Sequence, residues 1–308
     1  MVKVFIDGSA GTTGLRIYER LQERKDISLI LLSEELRKDT LARKEALNSA
    51  DIAFLCLPDA AAIEAVSLVE NSKVKIIDTS TAHRTQEGWD YGFAELSGQR
   101  EKIVNSKRVA NPGCHASGFI ALVEPLVKNG IIKKDANLSA FSLTGYSGGG
   151  KKMIAEYQGE DRNVLLNAPR TYGITQQHKH LKEMVKICGI ENAPIFCPIV
   201  APYYCGMEVT VPLFKKDIKG EVNNIKEIYK EYYKNGLVKF SESEESGFLS
   251  ANLMAGRDDM LVGVYGNEDR FTLVARFDNL GKGASGAALQ NMNIMLGVKE
   301  DTGLIVED

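Results

Sequence analysis

With 308 residues, 44% of them hydrophobic and 26% charged, the chain is long enough for two domains and ordinary in composition for a globular protein. Its net charge of -3 excludes an electrostatic case for nucleic acid or an anionic membrane as partner. Five cysteines, Cys56, Cys114, Cys188, Cys197 and Cys205, are scattered without a CxxC pair, which argues against a disulfide framework or a zinc knuckle. No apolar run reaches transmembrane length and no signal-peptide pattern precedes the first strand, so a reducing cytoplasmic setting is expected.

A β-rich run at 2–6 leads into Gly8-Ser9-Ala10-Gly11-Thr12-Thr13-Gly14 and then a helical pattern from Leu15. Strand, spaced glycines and helix form the geometry that seats a pyrophosphate on a helix N-terminus, so Gly8, Ala10, Gly11, Thr12, Thr13 and Gly14 are candidate dinucleotide contacts. A second strand at 27–32 ends at Ser33, followed by Glu34, Arg37 and Lys38. Ser33, Arg37 and Lys38 suit the 2′-phosphate of NADP, whereas Glu34 leaves room for the opposite preference. Strands at 51–58 and 74–78, separated by a helix at 60–70, imply a doubly wound parallel sheet with its ligand crevice at the strands' carboxyl ends. Pro58, Ser80, His83 and Arg84 fall at those ends. Pro58 and Ser80 are read as cofactor contacts, and Arg84 as a substrate-anion ligand or a plain surface arginine.

A short strand at 108–110 runs into Asn111-Pro112-Gly113-Cys114-His115-Ala116-Ser117-Gly118 and the apolar run 119–123. The rigid turn delivers Cys114 to the front of a helix, where unpaired N–H groups and the positive dipole end favour a thiolate. Beyond it the pattern changes to alternating β-rich runs at 136–143, 195–200, 207–214, 238–240, 261–265 and 271–277, with an amphipathic helix at 222–234. A second, α+β domain with a mixed or antiparallel sheet follows from these. The loop Thr144-Gly145-Tyr146-Ser147-Gly148-Gly149-Gly150-Lys151-Lys152 suits an anionic ligand or cofactor, through Ser147 and Gly148, or else is a flexible linker. Of the four histidines, His178 and His180 precede a helix and lack a convincing third ligand, so no metal is expected and acid/base work beside Cys114 is the preferred role. His115 adjoins the cysteine, but neighbours in sequence need not face each other.

These residues resemble the N-acetyl-γ-glutamyl-phosphate reductases of arginine biosynthesis, in their shorter type 2 branch. GSAGTTG at 8–14, YGFAEL at 91–96, NPGCHASG at 111–118, HKHLKEM at 178–184 and DNLGKGASGAALQNMN at 278–293 match that pattern in order across essentially the whole chain. Lys182 stands where the family commonly has proline, which loosens a helical turn and removes no functional group. The resemblance implies a Rossmann-type NADP-binding domain at 1–113, completed by a C-terminal helix at 281–308, and a catalytic and oligomerisation domain at 114–280. It further implies Cys114 as nucleophile and His178 as base, with Arg84, Tyr172, His180 and Glu183 on the substrate and Asn279 and Gly283 on the cofactor. Acyl phosphate would be reduced to aldehyde through a thioester on Cys114, with small-molecule substrates only and a homodimer or homotetramer as the assembly. An aspartate-semialdehyde dehydrogenase or another phosphorylating aldehyde dehydrogenase is the nearest alternative. A non-catalytic NADP-binding sensor would need an inert Cys114, and a cysteine hydrolase leaves GSAGTTG without a role.

Overall fold

The computed structural model describes residues 1–307. The first half of the chain builds β1 (Val2–Asp7), α1 (Thr12–Leu21), β2 (Ile27–Ile30), α2 (Thr40–Ser49), β3 (Ile52–Leu55), α3 (Asp59–Ser67), β4 (Lys75–Asp78), β5 (Asp90–Tyr91), α4 (Gln99–Asn105) and β6 (Arg108–Ala110). The strands form one parallel sheet in the order β2-β1-β3-β4-β6-β5. Successive side chains of a strand point to opposite faces, and the core divides accordingly. Val4, Ile6, Phe54 and Ile77 pack with Ile17 and Leu21 of α1, while Phe5, Ala53, Leu55 and Ile76 pack with Leu47 of α2 and Ala62 and Ala65 of α3. The order reverses between β1 and β3, which is where a doubly wound sheet opens its ligand crevice. Helix α2 is invisible to hydrophobic periodicity. It is started by Asp39, which accepts the Ala42 N–H at 2.7 Å, and held by a buried ion pair from Arg43 to Asp7 at 3.0 Å.

The second unit begins with α5 (Cys114–Lys128), followed by β7 (Ser139–Gly145), α6 (Gly150–Gln158), β8 (Arg170–Thr171), α7 (Leu181–Cys188), β9 (Ile195–Ala201), β10 (Met207–Phe214), α8 (Val222–Tyr232), β11 (Val238–Phe240), β12 (Met260–Gly266) and β13 (Arg270–Phe277). Its seven-stranded sheet, β11-β12-β13-β10-β7-β9-β8, is mixed. β10 runs antiparallel to β13 and to β7, whereas β7 and β9 are parallel. Met207, Val209, Val211 and Leu213 of β10 are buried and alternate with half-buried neighbours, as a sheet with one covered face requires. The covering helix is α5, buried along most of its length. Pro125 lies inside it and cannot donate to the Ala121 carbonyl, a loss that ordinarily breaks a helix. The Tyr233 hydroxyl donates to that carbonyl instead, at 2.7 Å. The glycine-rich run expected as a loop is a single 3₁₀ turn, Tyr146–Gly149, that passes into α6, so Lys151 and Lys152 sit on a helix. Its glycines mask the helical signal of the residues after them.

The last helix, α9 (Gly286–Leu296), returns to the first unit, where Ala288, Leu289 and Met292 join the β1 core cluster. The first unit comprises Met1–Ala94, Gly98–Pro112 and Ala284–Leu304. The second comprises Glu95–Ser97, Gly113–Gly283 and the tail from Ile305.

Candidate active site

In the first unit the turn after β1 is built for close backbone approach. Gly8 has φ +92°, and a Cβ there would stand 2.3 Å from the Cys56 carbonyl oxygen at the end of β3. Only glycine fits. The turn delivers Gly11 as the N-cap of α1, with no side-chain cap and no acidic residue in the first turn. Ala10, Gly11, Thr12 and Thr13 are half-buried, so the end of the helix carries backbone donors and a positive dipole at an accessible loop. This fits the pyrophosphate of a dinucleotide. Ser33, Arg37 and Lys38 are exposed after β2, where the Ser33 carbonyl accepts the Arg37 N–H at 3.1 Å and curls the loop.

The strand ends of β3 and β4 hold the next group. Pro58 is exposed as the N-cap of α3. The buried Asp78 carboxylate accepts the Ser80 N–H at 2.9 Å and the Ser80 hydroxyl at 2.7 Å, and meets His83 Nδ1 at 2.6 Å. The His83 ring stacks on Trp89 at 4.1 Å. Arg84 is buried and donates to the Asn111 carbonyl at 2.9 Å and to the Thr79 carbonyl at 3.0 Å. It is therefore no loose surface arginine: part of its donor set pins the ends of β4 and β6.

In the second unit Cys114 is the first residue of α5, half-buried, with Gly113 as N-cap. Two features hold it there. Glu183, 2% exposed on α7, accepts the Gly113 N–H at 2.8 Å, so this carboxylate fixes the turn that presents the thiol. Gly283 packs against the cysteine, since a Cβ at 283 would lie 2.9 Å from the Cys114 Cβ. The next residue, His115, opens an aromatic cluster. The His115 ring is 5.5 Å from His178, 5.7 Å from His180 and 5.3 Å from Phe196, and His178 and His180 are 4.8 Å apart. His115 is fully buried. Its Nδ1 lies 2.7 Å from the Ser142 hydroxyl and its Nε2 2.6 Å from the Tyr172 hydroxyl. Burial, then the neighbouring His178, pushes its pKa down to about 3, so the ring is neutral. Burial also lowers the pKa of His178, with Lys179 adding to the effect. Burial, then the charge of Cys114, raises that of Tyr172. The His180 N–H donates to His178 Nδ1 at 3.2 Å, so a neutral His178 carries its proton on Nε2.

Sequence reasoning brings Cys114, Tyr172, His178, His180 and Glu183 to one place in this unit. It misses His115, Ser142 and Phe196. An isolated serine or phenylalanine in an alternating strand carries no signal beyond its face of the sheet. Ser147 and Asn279 form a separate pair, with Asn279 Nδ2 donating to Ser147 Oγ at 3.0 Å and its Oδ1 accepting the Gly206 N–H at 3.0 Å; Gly148 beside them is exposed. A second buried pair also goes unread in the sequence. Lys282 Nζ lies 2.8 Å from both Glu95 oxygens, and Glu95 also accepts the Leu237 N–H. Burial pushes the Cys56 thiol up to about 12 and raises the Cys188 thiol well above its ordinary value. Among the described residues no group of three or more His, Cys, Asp or Glu is arranged to hold a metal, and no helix is long and apolar enough to cross a membrane.

Comparison with known proteins adds the family context. Residues 3–106 match the semialdehyde dehydrogenase NAD binding domain and residues 114–279 the semialdehyde dehydrogenase dimerisation domain. The chain is 45% identical to N-acetyl-gamma-glutamyl-phosphate reductase 2 of Nostoc sp. over 98% of its own length and 99% of that protein. It is 46% identical to N-acetyl-gamma-glutamyl-phosphate reductase of Brucella ovis over 96% and 99%. Among solved structures it is similar to aspartate semialdehyde dehydrogenase II of Vibrio cholerae, with TM-score 0.72, 17% identity, and 96% and 98% of the chains covered. It is also similar to aspartate semialdehyde dehydrogenase of Candida albicans with NADP, with TM-score 0.66, 13% identity, and 96% and 99% covered. At these identities the structures speak for the fold alone.

Proposed function

The chain belongs to the semialdehyde dehydrogenase family, in its N-acetyl-γ-glutamyl-phosphate reductase branch, and from that membership we propose a thiol mechanism for the reduction of N-acetyl-L-glutamyl 5-phosphate to the 5-semialdehyde. This is the third step of arginine biosynthesis. The observation that carries the reading is a half-buried cysteine on the N-terminus of a buried helix, next in sequence to His115 of the histidine cluster and close enough for its charge to act on Tyr172.

Cys114 Sγ attacks the acyl carbonyl, the C–O bond to phosphate breaks, and a thioester remains. When bound, a nicotinamide cofactor supplies the hydride that reduces this thioester. Collapse of the resulting thiohemiacetal on Cys114 releases the aldehyde and restores the thiolate, so one hard step becomes two easier ones. His178 handles the proton. In its resting form the Nε2–H is a donor to sulfur or oxygen. It becomes a base by taking a proton on Nδ1, at the expense of the hydrogen bond from His180. Glu183 holds the turn and His180 lines the pocket, while Arg84 and Tyr172 serve the substrate's carboxylate, phosphate or acyl oxygen.

The chain is a nicotinamide-dependent oxidoreductase. In our reading the cofactor is NADP, held by Gly8, Ala10, Gly11, Thr12, Thr13 and Gly14 at the pyrophosphate and by Ser33, Arg37 and Lys38 at the 2′-phosphate, with Pro58, Ser80, Ser147, Gly148, Asn279 and Gly283 as further contacts. The dimerisation-domain match accords with a homo-oligomer, which we read as a dimer or tetramer working in the cytoplasm. The test is mass spectrometry after mixing the protein with acyl phosphate and no cofactor. The acyl mass is expected on the Cys114 peptide and absent from Cys114→Ser. An adduct elsewhere, or full turnover by the serine variant, removes Cys114 from the reaction. Turnover of aspartyl phosphate in place of the N-acetylglutamyl compound would reassign the substrate.

A further inference from the structure

The hydrogen bonds around His115 have a direction, and that direction gives Tyr172 a task. Ser142 Oγ is completely buried on β7, and among the described residues its only hydrogen-bond partner is His115 Nδ1, at 2.7 Å. A buried hydroxyl proton with nowhere to point costs about 1–3 kcal/mol, so the serine donates and Nδ1 accepts. A neutral imidazole has one proton, which then sits on Nε2. There it meets the Tyr172 oxygen at 2.6 Å. The tyrosine oxygen is thus an acceptor in this contact, and its own proton is not used by His115. Tyr172 is half-buried beside the His178 ring, 5.8 Å away, and lies within the electrostatic reach of Cys114.

We propose that Ser142, His115 and Tyr172 form a relay of fixed polarity, Ser142 Oγ–H to His115 Nδ1 and His115 Nε2–H to the Tyr172 oxygen. The relay leaves the Tyr172 hydroxyl proton to donate to the oxygen of the acyl group carried by Cys114. Tyr172 is then a catalytic residue, while His115 and Ser142 are positioning residues that act through it. The assignment rests on the thioester reading above. No proton is transferred in this contact: the hydroxyl stabilises the negative oxygen while it exists, and the burial that raises the proton affinity of Tyr172 keeps that proton in place.

Two measurements test it. Nitrogen NMR of histidine-labelled protein, with the His115 signal assigned by its loss in His115→Gln, should show protonated Nε2 and bare Nδ1. A proton on Nδ1 overturns the relay. This result is independent of turnover, so a wild type that fails to reduce N-acetylglutamyl phosphate defeats the functional reading and leaves the polarity to be decided on its own. In kinetics, Tyr172→Phe should lose about 10²–10³-fold in kcat, the usual cost of one oxyanion donor. Ser142→Ala should lose about three- to tenfold, the scale of one neutral hydrogen bond, and Ser142→Thr should restore it. The double variant Ser142→Ala with Tyr172→Phe should be no slower than Tyr172→Phe alone, because serine acts only through the tyrosine. Additive losses, or a Tyr172→Phe enzyme with wild-type kcat, refute the proposal.

Discussion

Gly283→Ala isolates the packing of the nucleophile from the rest of the site. The new methyl would lie 2.9 Å from the Cys114 Cβ, 3.1 Å from the Asp278 carbonyl oxygen and 3.3 Å from Phe277 Cε2. The backbone at 283 is not in the left-handed region, so crowding alone is at issue. Two of the three neighbours cannot swing aside, because one is backbone and the other is the root of the cysteine side chain. Relief requires a shift of several tenths of an ångström, and overpacking of this kind costs about 1–3 kcal/mol. A misplacement of about 1 Å at a reacting atom can cost roughly 10²-fold, so a partial shift predicts a loss of about ten- to a hundredfold in acylation of Cys114. The assay is stopped-flow or quenched mass spectrometry of thioester formation without cofactor, beside a thermal melt and a cofactor titration. The variant should remain folded, with acylation slowed even in the absence of cofactor, and with whatever change in cofactor affinity its place among the proposed cofactor contacts brings. Acylation at the wild-type rate refutes the packing argument, and slowed acylation with unchanged cofactor affinity would remove Gly283 from the proposed cofactor contacts.

Three further outcomes follow from the same geometry. NADP should bind more tightly than NAD by about 1–3 kcal/mol, the scale of hydrogen bonds to a charged group, and Arg37→Glu with Lys38→Glu should erase the difference in calorimetry; equal dissociation constants in the wild type contradict this. The positive charge of Lys179 opposes protonation of His178, so Lys179→Glu raises the pKa of His178. Activity that requires the neutral ring then falls off sooner as pH drops, which moves the acid limb of kcat/KM to higher pH, and an unmoved limb argues against His178 as the titrating group. Lys282→Met strands the buried Glu95 carboxylate and should cost about 3–5 kcal/mol in urea unfolding. Adding Glu95→Leu should recover part of that, and a single variant with wild-type stability contradicts the pairing.

What the sequence reveals and what it hides follow the range of the interactions. The Gly8 turn and the Cys114 helix start are local: each is a breaker followed by an apolar periodic run, and each lies where the pattern puts it. Alternation along 207–214 gives that strand and its covered face, whereas the run 271–277 gives the strand alone, since it is buried on both faces from Leu273 to Phe277. His115 is the instructive case. Consecutive residues of a helix point about 100° apart, so with Cys114 half-exposed its neighbour turns inward, and it is buried at 3%. The direction is local knowledge, but what waits inside is not. Ser142 comes from β7, Phe196 from β9 and Tyr172 from just after β8, and their convergence depends on sheet order. The same holds for Lys282, whose motif marks it but whose partner Glu95 lies in a distant part of the chain.

The neutrality of the cluster bears on how the barrier is lowered. A thiolate locked to an imidazolium cation would be stabilised before the reaction as much as during it, and uniform stabilisation of that kind does not raise kcat. Here burial keeps His115 and His178 uncharged and Tyr172 protonated. The nucleophile is favoured instead by the dipole and N–H groups at the start of α5, a modest field that costs no desolvated cation. Neutral donors around it interact weakly with a neutral thioester carbonyl and strongly with the oxygen once it becomes negative, which is the differential that accelerates a step. A cluster of this design spends its hydrogen bonds on the moment of charge development. It also lets His115 and His178 keep their rings packed against each other, because neither has to carry a charge at rest.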